Sequence, residues 1–93
     1  MNETGTVRKE VVILNALGLH ARPAALLVQA VSNLNCKIWI TKDDYTVNAK
    51  SLMGVLTLVA AQGSALVITA KGEDAQRAVD RVVELVEGKF GEE

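Results

Sequence analysis

Residues 6–34, TVRKEVVILNALGLHARPAALLVQAVSNL, change their apolar period once, and that change decides the fold. Over residues 6–14, Val7, Val11 and Ile13 share one parity among β-branched neighbours, the pattern of a strand with one buried face. Asn15 and Gly18 end the strand in a loop. Over residues 21–33 the apolar positions Ala24, Leu27, Val28 and Val31, continued by Leu34, recur at i, i+3, i+4 and i+7, which predicts an amphipathic helix. Asn33 or Asn35 can stop it.

The rest of the chain continues the alternation. Ile38 and Ile40 alternate with Trp39 and Thr41, Lys42-Asp43-Asp44 makes a turn, and residues 45–49 offer the return strand of a hairpin. Ser51 precedes Leu52, Val55 and Leu56 at the spacing of a brief helix, weakened by Gly54 and by the β-branched Val55 and Thr57. Residues 64–70, SALVITA, place Leu66, Ile68 and Ala70 on one face of a last strand. Ala75, Ala78, Val79, Val82 and Val86 form a second helical stripe, with Glu73 and Asp74 in its first turn and Gly88 as its stop. The order is βαββαβα. Each helix has a single apolar stripe, so all three must share one core. The expected α+β fold is a four-stranded, mainly antiparallel sheet with three helices on one face. The other face, carrying Arg8, Glu10, Trp39 and Thr41, is open to solvent.

Length and composition agree with one domain over residues 1–93: the chain has 93 residues, of which 49% are hydrophobic. No apolar run exceeds five residues, against roughly 18 for a membrane span. The N-terminus has no charged-then-apolar signal segment, so a soluble, cytosolic protein is expected. One cysteine, Cys36, and one histidine, His20, exclude an internal disulfide and a zinc module built from Cys and His. The net charge of −1 conceals an asymmetry. Residues 1–71 hold seven basic and four acidic residues; residues 72–93 hold three and seven. Between Glu10 and Asp43 there is no acid at all, a window that favours an anionic partner.

His20 lies in that window, where loop meets helix. As N-cap it would have Ala21, Arg22 and Pro23 in the first turn, where backbone N–H groups lack intrahelical acceptors and the macrodipole favours an anion. Pro23 has no N–H to leave unpaired, and Gly18 lets the loop bend close. The planar donors of Arg22 suit phosphate oxygens. A neutral imidazole nitrogen is a nucleophile near pH 7. His20 as a simple helix cap beside a solvated Arg22 is the plainer alternative. The grouping of Gly18, His20, Arg22 and Pro23, with no acid near in sequence, points instead to phosphate carried on the ring.

Two segments resemble a known family. Residues 15–25, NALGLHARPAA, are similar to the active-site signature of HPr, the histidine phosphocarriers of the bacterial phosphoenolpyruvate-dependent sugar phosphotransferase system. Residues 48–58, NAKSLMGVLTL, resemble that family's regulatory-serine region. The resemblance spans essentially the whole chain and implies an open-faced β-sandwich of order βαββαβα. It also implies a carrier rather than an enzyme: His20 accepts a phosphoryl group on Nδ1 from enzyme I and passes it to IIA proteins. Arg22 and the backbone of Ala21 and Arg22 would steady the phosphate, with no metal or other cofactor and no binding of nucleic acid. The residues alone do not choose between the ring nitrogens.

By the same resemblance Ser51 is a site for a serine kinase of the HPr kinase/phosphorylase type, although as a residue it is already a good helix cap. Lys50, Leu52, Met53 and Leu56 would contact partners. Spacing alone reads Leu27, Leu52 and Leu56 as core and points Met53 outward. A monomer is expected. Residues 88–93 and the Val59-Ala60-Ala61 stretch resemble carriers from proteobacteria and relatives, including the nitrogen-related branch, which regulates metabolism instead of feeding sugar transport and shares the histidine motif. A non-carrier protein- or RNA-binding module is the alternative from another class; histidine at position 20 argues against a regulatory relative that carries no phosphate, and Trp39, Tyr45 and Phe90, the only three aromatic residues other than His20, show no base-stacking spacing.

Overall fold

In the computed structural model, which describes residues 5–92, the elements follow the expected order. They are β1 (Thr6–Val12), α1 (Ala21–Val31), β2 (Lys37–Lys42), β3 (Tyr45–Asn48), α2 (Leu52–Leu56), β4 (Ala65–Lys71) and α3 (Ala75–Glu87). A tight turn over Lys89–Gly91 follows. Glu3 and Glu93, counted in the charge balance, lie outside the described residues.

The four strands form one antiparallel sheet in the order β1-β4-β2-β3. Its register explains the parity of the sequence. Val11 pairs with Leu66, Ile68 with Ile40, and Ile40 with Val47, so a continuous apolar band crosses all four strands on the face beneath the helices. Trp39 pairs with Thr69, and Thr69 with Arg8, on the opposite, open face. From α1, Ala24, Leu27 and Val31 are buried against this band, and α3 adds Ala75, Ala78, Val79, Val82 and Val86. The open-faced α+β architecture is the one expected.

Local differences have physical causes. Residues 13 and 14 leave the β1 ladder, although Ile13 stays buried and its N–H still donates to Ser64 O at 2.9 Å. Helix α1 ends at Val31 instead of Asn33. Asp74 sits at the N-cap of α3 but does not cap it; its carboxylate accepts the Asn35 N–H at 2.7 Å and ties α3 to the end of α1. Helix α2 is so short that it buries only Val55, so Leu52 is exposed and Leu56 half-buried. Leu27 is core as its spacing predicts; Leu52 is not.

Candidate functional site

His20 is the N-cap of α1, with extended backbone (φ −82°, ψ −169°), and its carbonyl accepts the Ala24 N–H at 2.9 Å to open the helix. The imidazole itself caps nothing. The N–H groups of Ala21 and Arg22 lie in a first turn that no side chain caps and have no intrahelical acceptor, both residues being exposed, while Pro23 is buried and has no N–H to leave unpaired.

The loop that delivers His20 is held on two sides. Gly18 has φ +71°, and a Cβ there would lie 2.6 Å from Ala60 O, so only glycine fits. Leu19 N–H donates to the same Ala60 oxygen at 2.8 Å. On the other side Asn15, fully buried, donates its Nδ2 to Gly18 O at 2.7 Å, and Gly18 N–H donates back to Asn15 O at 3.1 Å. This buried asparagine ends β1 in the sequence and staples the active loop in the structure.

The acid-free window does not survive folding. Glu92, from the far end of the chain, places its carboxylate on the ring: His20 Nε2 lies 3.0 Å from Oε2 and 3.3 Å from Oε1. Asn15 Nδ2 donates to the same carboxylate, 2.9 Å from Oε1. Glu92 arrives through three consecutive left-handed residues after α3, Lys89 (φ 56°), Phe90 (φ 54°) and Gly91 (φ 77°), closed by a Glu92 N–H to Lys89 O bond of 2.8 Å. Two of the three are not glycine, at about 1–2 kcal/mol each. Burial of Phe90 in the core, worth about 1.5–3 kcal/mol, offsets that strain. The two acceptors fix the amide orientation of Asn15 and leave its Oδ1 buried without a partner, a cost of about 1–3 kcal/mol.

Exposed apolar groups lie beside the imidazole, Leu17 at 74% and Val59 at 75%; Met53, on α2, is 73% exposed. Leu17, Leu56 and Val59 line a shallow groove beside His20. Val59 is β-branched yet has φ +48°, a strained conformation on the rim of the site. Arg22 is exposed in an adjoining groove shared with Leu17 and Glu92.

A family model described as the PTS HPr component phosphorylation site matches residues 7–88. The chain belongs to the HPr family of phosphocarriers. It is similar to the phosphocarrier protein HPr of Treponema pallidum, 46% identical over 87 residues, which are 94% of this chain and 99% of that one. Among solved structures it is similar to HPr-C-His from Thermoanaerobacter tengcongensis, with a TM-score of 0.90 and 46% identity over 94% of this chain and 98% of that one. An HPr dimer from the same organism matches with a TM-score of 0.75 and 44% identity, over 99% of this chain and all of the other. Proteins of this family are phosphocarriers rather than enzymes, and they act with components of the phosphotransferase system.

The second HPr segment places its residues unevenly. Ser51 caps α2: its Oγ accepts the Gly54 N–H at 3.0 Å. Lys50 is half-buried, and its Nζ donates to Leu34 O at 2.7 Å, which ties its ammonium to the loop after α1. Leu52 and Met53 are exposed on α2, which packs against α1. Cys36 is half-buried at a distance from this surface in sequence. Burial pushes its thiol up, Lys50 lowers it in part, and Asp74 raises it further, so thiolate is scarcer than at a free cysteine. Among the described residues no helix is long and apolar enough to cross a membrane.

Two residues that the fold brings to His20, Glu92 and the buried Asn15, had no place at the site by sequence reasoning. The only sequence signal for Glu92 was the aromatic Phe90 beyond the helix stop at Gly88.

Proposed function

We propose that the chain accepts a phosphoryl group on His20 from phosphorylated enzyme I and passes it to IIA proteins of the sugar phosphotransferase system, in the cytoplasm, as a single-domain monomer. One observation carries this reading: a half-exposed imidazole stands at an uncapped helix N-terminus in a chain of a phosphocarrier family. Phosphoryl transfer passes through a loose transition state whose charge lies on the equatorial oxygens, so positioning and electrostatics do most of the work. The uncapped N–H groups of Ala21 and Arg22, the positive end of α1 and the Arg22 guanidinium supply donors and positive charge for those oxygens. The exposed Leu17, Leu52, Met53 and Val59 form a docking collar, and a methionine there adapts to unlike partners. In this reading donor and acceptor each use that collar in turn, with the monomer as the working form.

Ser51 is a regulatory phosphorylation site in this reading. A phosphoserine at the start of α2 adds about −1.5 to −2 charges beside Leu52 and Met53. The backbone of α2 tolerates that charge; an acidic partner surface does not.

The test is onward transfer. Phosphorylated chain mixed with a IIA protein is expected to lose its phosphoryl group to that protein, and Arg22→Ala to slow the step while stability changes by less than about 0.5 kcal/mol. Retention of the phosphoryl group in the presence of competent IIA protein contradicts the proposed direction of flow. Transfer by Arg22→Ala at the wild-type rate removes Arg22 from the mechanism.

A further inference from the structure

We propose that Glu92 is a positioning residue for His20: its carboxylate holds the Nε2 proton, so the ring presents an unprotonated Nδ1 to the incoming phosphoryl group. The inference rests on the carrier reading above. An ionised carboxylate can only accept hydrogen bonds, so the contacts of 3.0 and 3.3 Å make Nε2–H the donor, which in the neutral ring leaves the lone pair on Nδ1. Among the described residues no protein group is hydrogen-bonded to Nδ1. The carboxylate is itself held, since Asn15 Nδ2 reaches Oε1 at 2.9 Å from a fully buried side chain.

The architecture behind this contact supports a positioning role. Two non-glycine residues in left-handed conformation and a buried Phe90 carry the chain from α3 back to the ring. Asn15 keeps a buried Oδ1 unpaired while it donates to the loop and to Glu92 together. Strain and an unsatisfied buried atom therefore converge on one hydrogen bond to Nε2.

The consequence for the step is electronic. As the Nδ1 lone pair forms the N–P bond, the bond from phosphorus to the donor's leaving group breaks, and that group departs with its electron pair. The ring takes up positive charge and its Nε2 proton stays in place, where the carboxylate of Glu92 stabilises the cation. A carboxylate oriented on the far nitrogen of a catalytic histidine plays the same part in serine hydrolases. When the phosphoryl group leaves for an acceptor, the charge is withdrawn and the same tautomer is restored.

The experiment uses the full chain with 15N-labelled histidine, at about pH 8.5 where imidazole is neutral. The wild type is expected to show a protonated Nε2 whose proton exchanges slowly enough to be observed, with Nδ1 unprotonated. In Glu92→Ala that proton resonance is lost to solvent exchange, and acceptance of phosphoryl from enzyme I slows about tenfold. The loss is smaller than in a hydrolase triad because no proton leaves the ring here. Glu92→Gln, whose carbonyl can still accept, keeps the Nε2–H resonance but transfers more slowly than wild type because the charge is gone. An Nδ1–H tautomer in the wild type, or an unchanged resonance or an unchanged rate in Glu92→Ala, overturns the assignment. If the wild type takes no phosphoryl group at all, the carrier reading fails, and the spectra of the unphosphorylated chains still decide what Glu92 holds.

Discussion

His20 and Glu92 are 72 positions apart in the chain, yet Nε2 of one lies 3.0 Å from Oε2 of the other. The reactive loop is thus closed by the last turn of the molecule. Its conformation rests on contacts made by Glu92 and Asn15, outside the first turn of α1.

Phe90 is the anchor of that closure. Phe90→Ala is expected to cost about 3–5 kcal/mol through the cavity it leaves, and to release Glu92 from the ring. Chemical denaturation gives the first number, and the Nε2–H resonance of His20 reports the second. A destabilised variant that keeps the resonance would show that Glu92 finds the ring without its anchor.

Gly18 is constrained by both φ and space. Alanine at φ +71° with its Cβ 2.6 Å from Ala60 O and 2.9 Å from Ala61 Cα must move backbone on one side or the other. Gly18→Ala is expected to lose about 2–4 kcal/mol, from left-handed strain and overpacking together. Thermal unfolding measures it, and a loss below about 1 kcal/mol would mean that the loop yields more easily than its hydrogen bonds suggest.

Val59 holds φ +48° with a β-branched side chain that is almost wholly in solvent. Asparagine tolerates that conformation, so Val59→Asn is expected to raise stability by about 1 kcal/mol. The same change removes an apolar group from the collar and should weaken docking to the donor. A variant that is less stable than wild type would argue against strain at this position.

Ser51 has a structural role that can be separated from regulation. Ser51→Ala removes the acceptor for Gly54 N–H and should cost about 1 kcal/mol, with phosphoryl acceptance at His20 unchanged when measured on folded protein. Ser51→Asp keeps a capping oxygen and adds one charge. Its stability should stay near wild type while docking to the donor weakens; equal donor kinetics in both variants would count against a regulatory charge at this site.

The fold was legible because its elements bury one parity or one stripe each. Val7, Val11 and Ile13, and then Ala24, Leu27 and Val31, announce their structure within a few residues, and register follows once the apolar band is continuous. The first half of the site was legible for a similar reason: Gly18, His20, Arg22 and Pro23 lie within six positions, and helix-terminus physics is local. Helix α2 misled at Leu52 because a five-residue helix has too few turns to define a buried stripe. Glu92 was illegible because its placement depends on two left-handed non-glycine residues, a conformation with no periodic signature. The charge window around His20 described the chain correctly and the folded surface wrongly, since one carboxylate from outside the window is enough to fill it.

The central claim is that His20 receives the phosphoryl group. Incubation of the chain with enzyme I and labelled phosphoenolpyruvate, followed by mass analysis of the intact protein and its peptides, tests it most directly. The predicted result is one phosphoryl group, labile to acid and stable to base, on the peptide containing His20, and none in His20→Ala. An unmodified wild-type chain beside active enzyme I, or a modified His20→Ala, would contradict it.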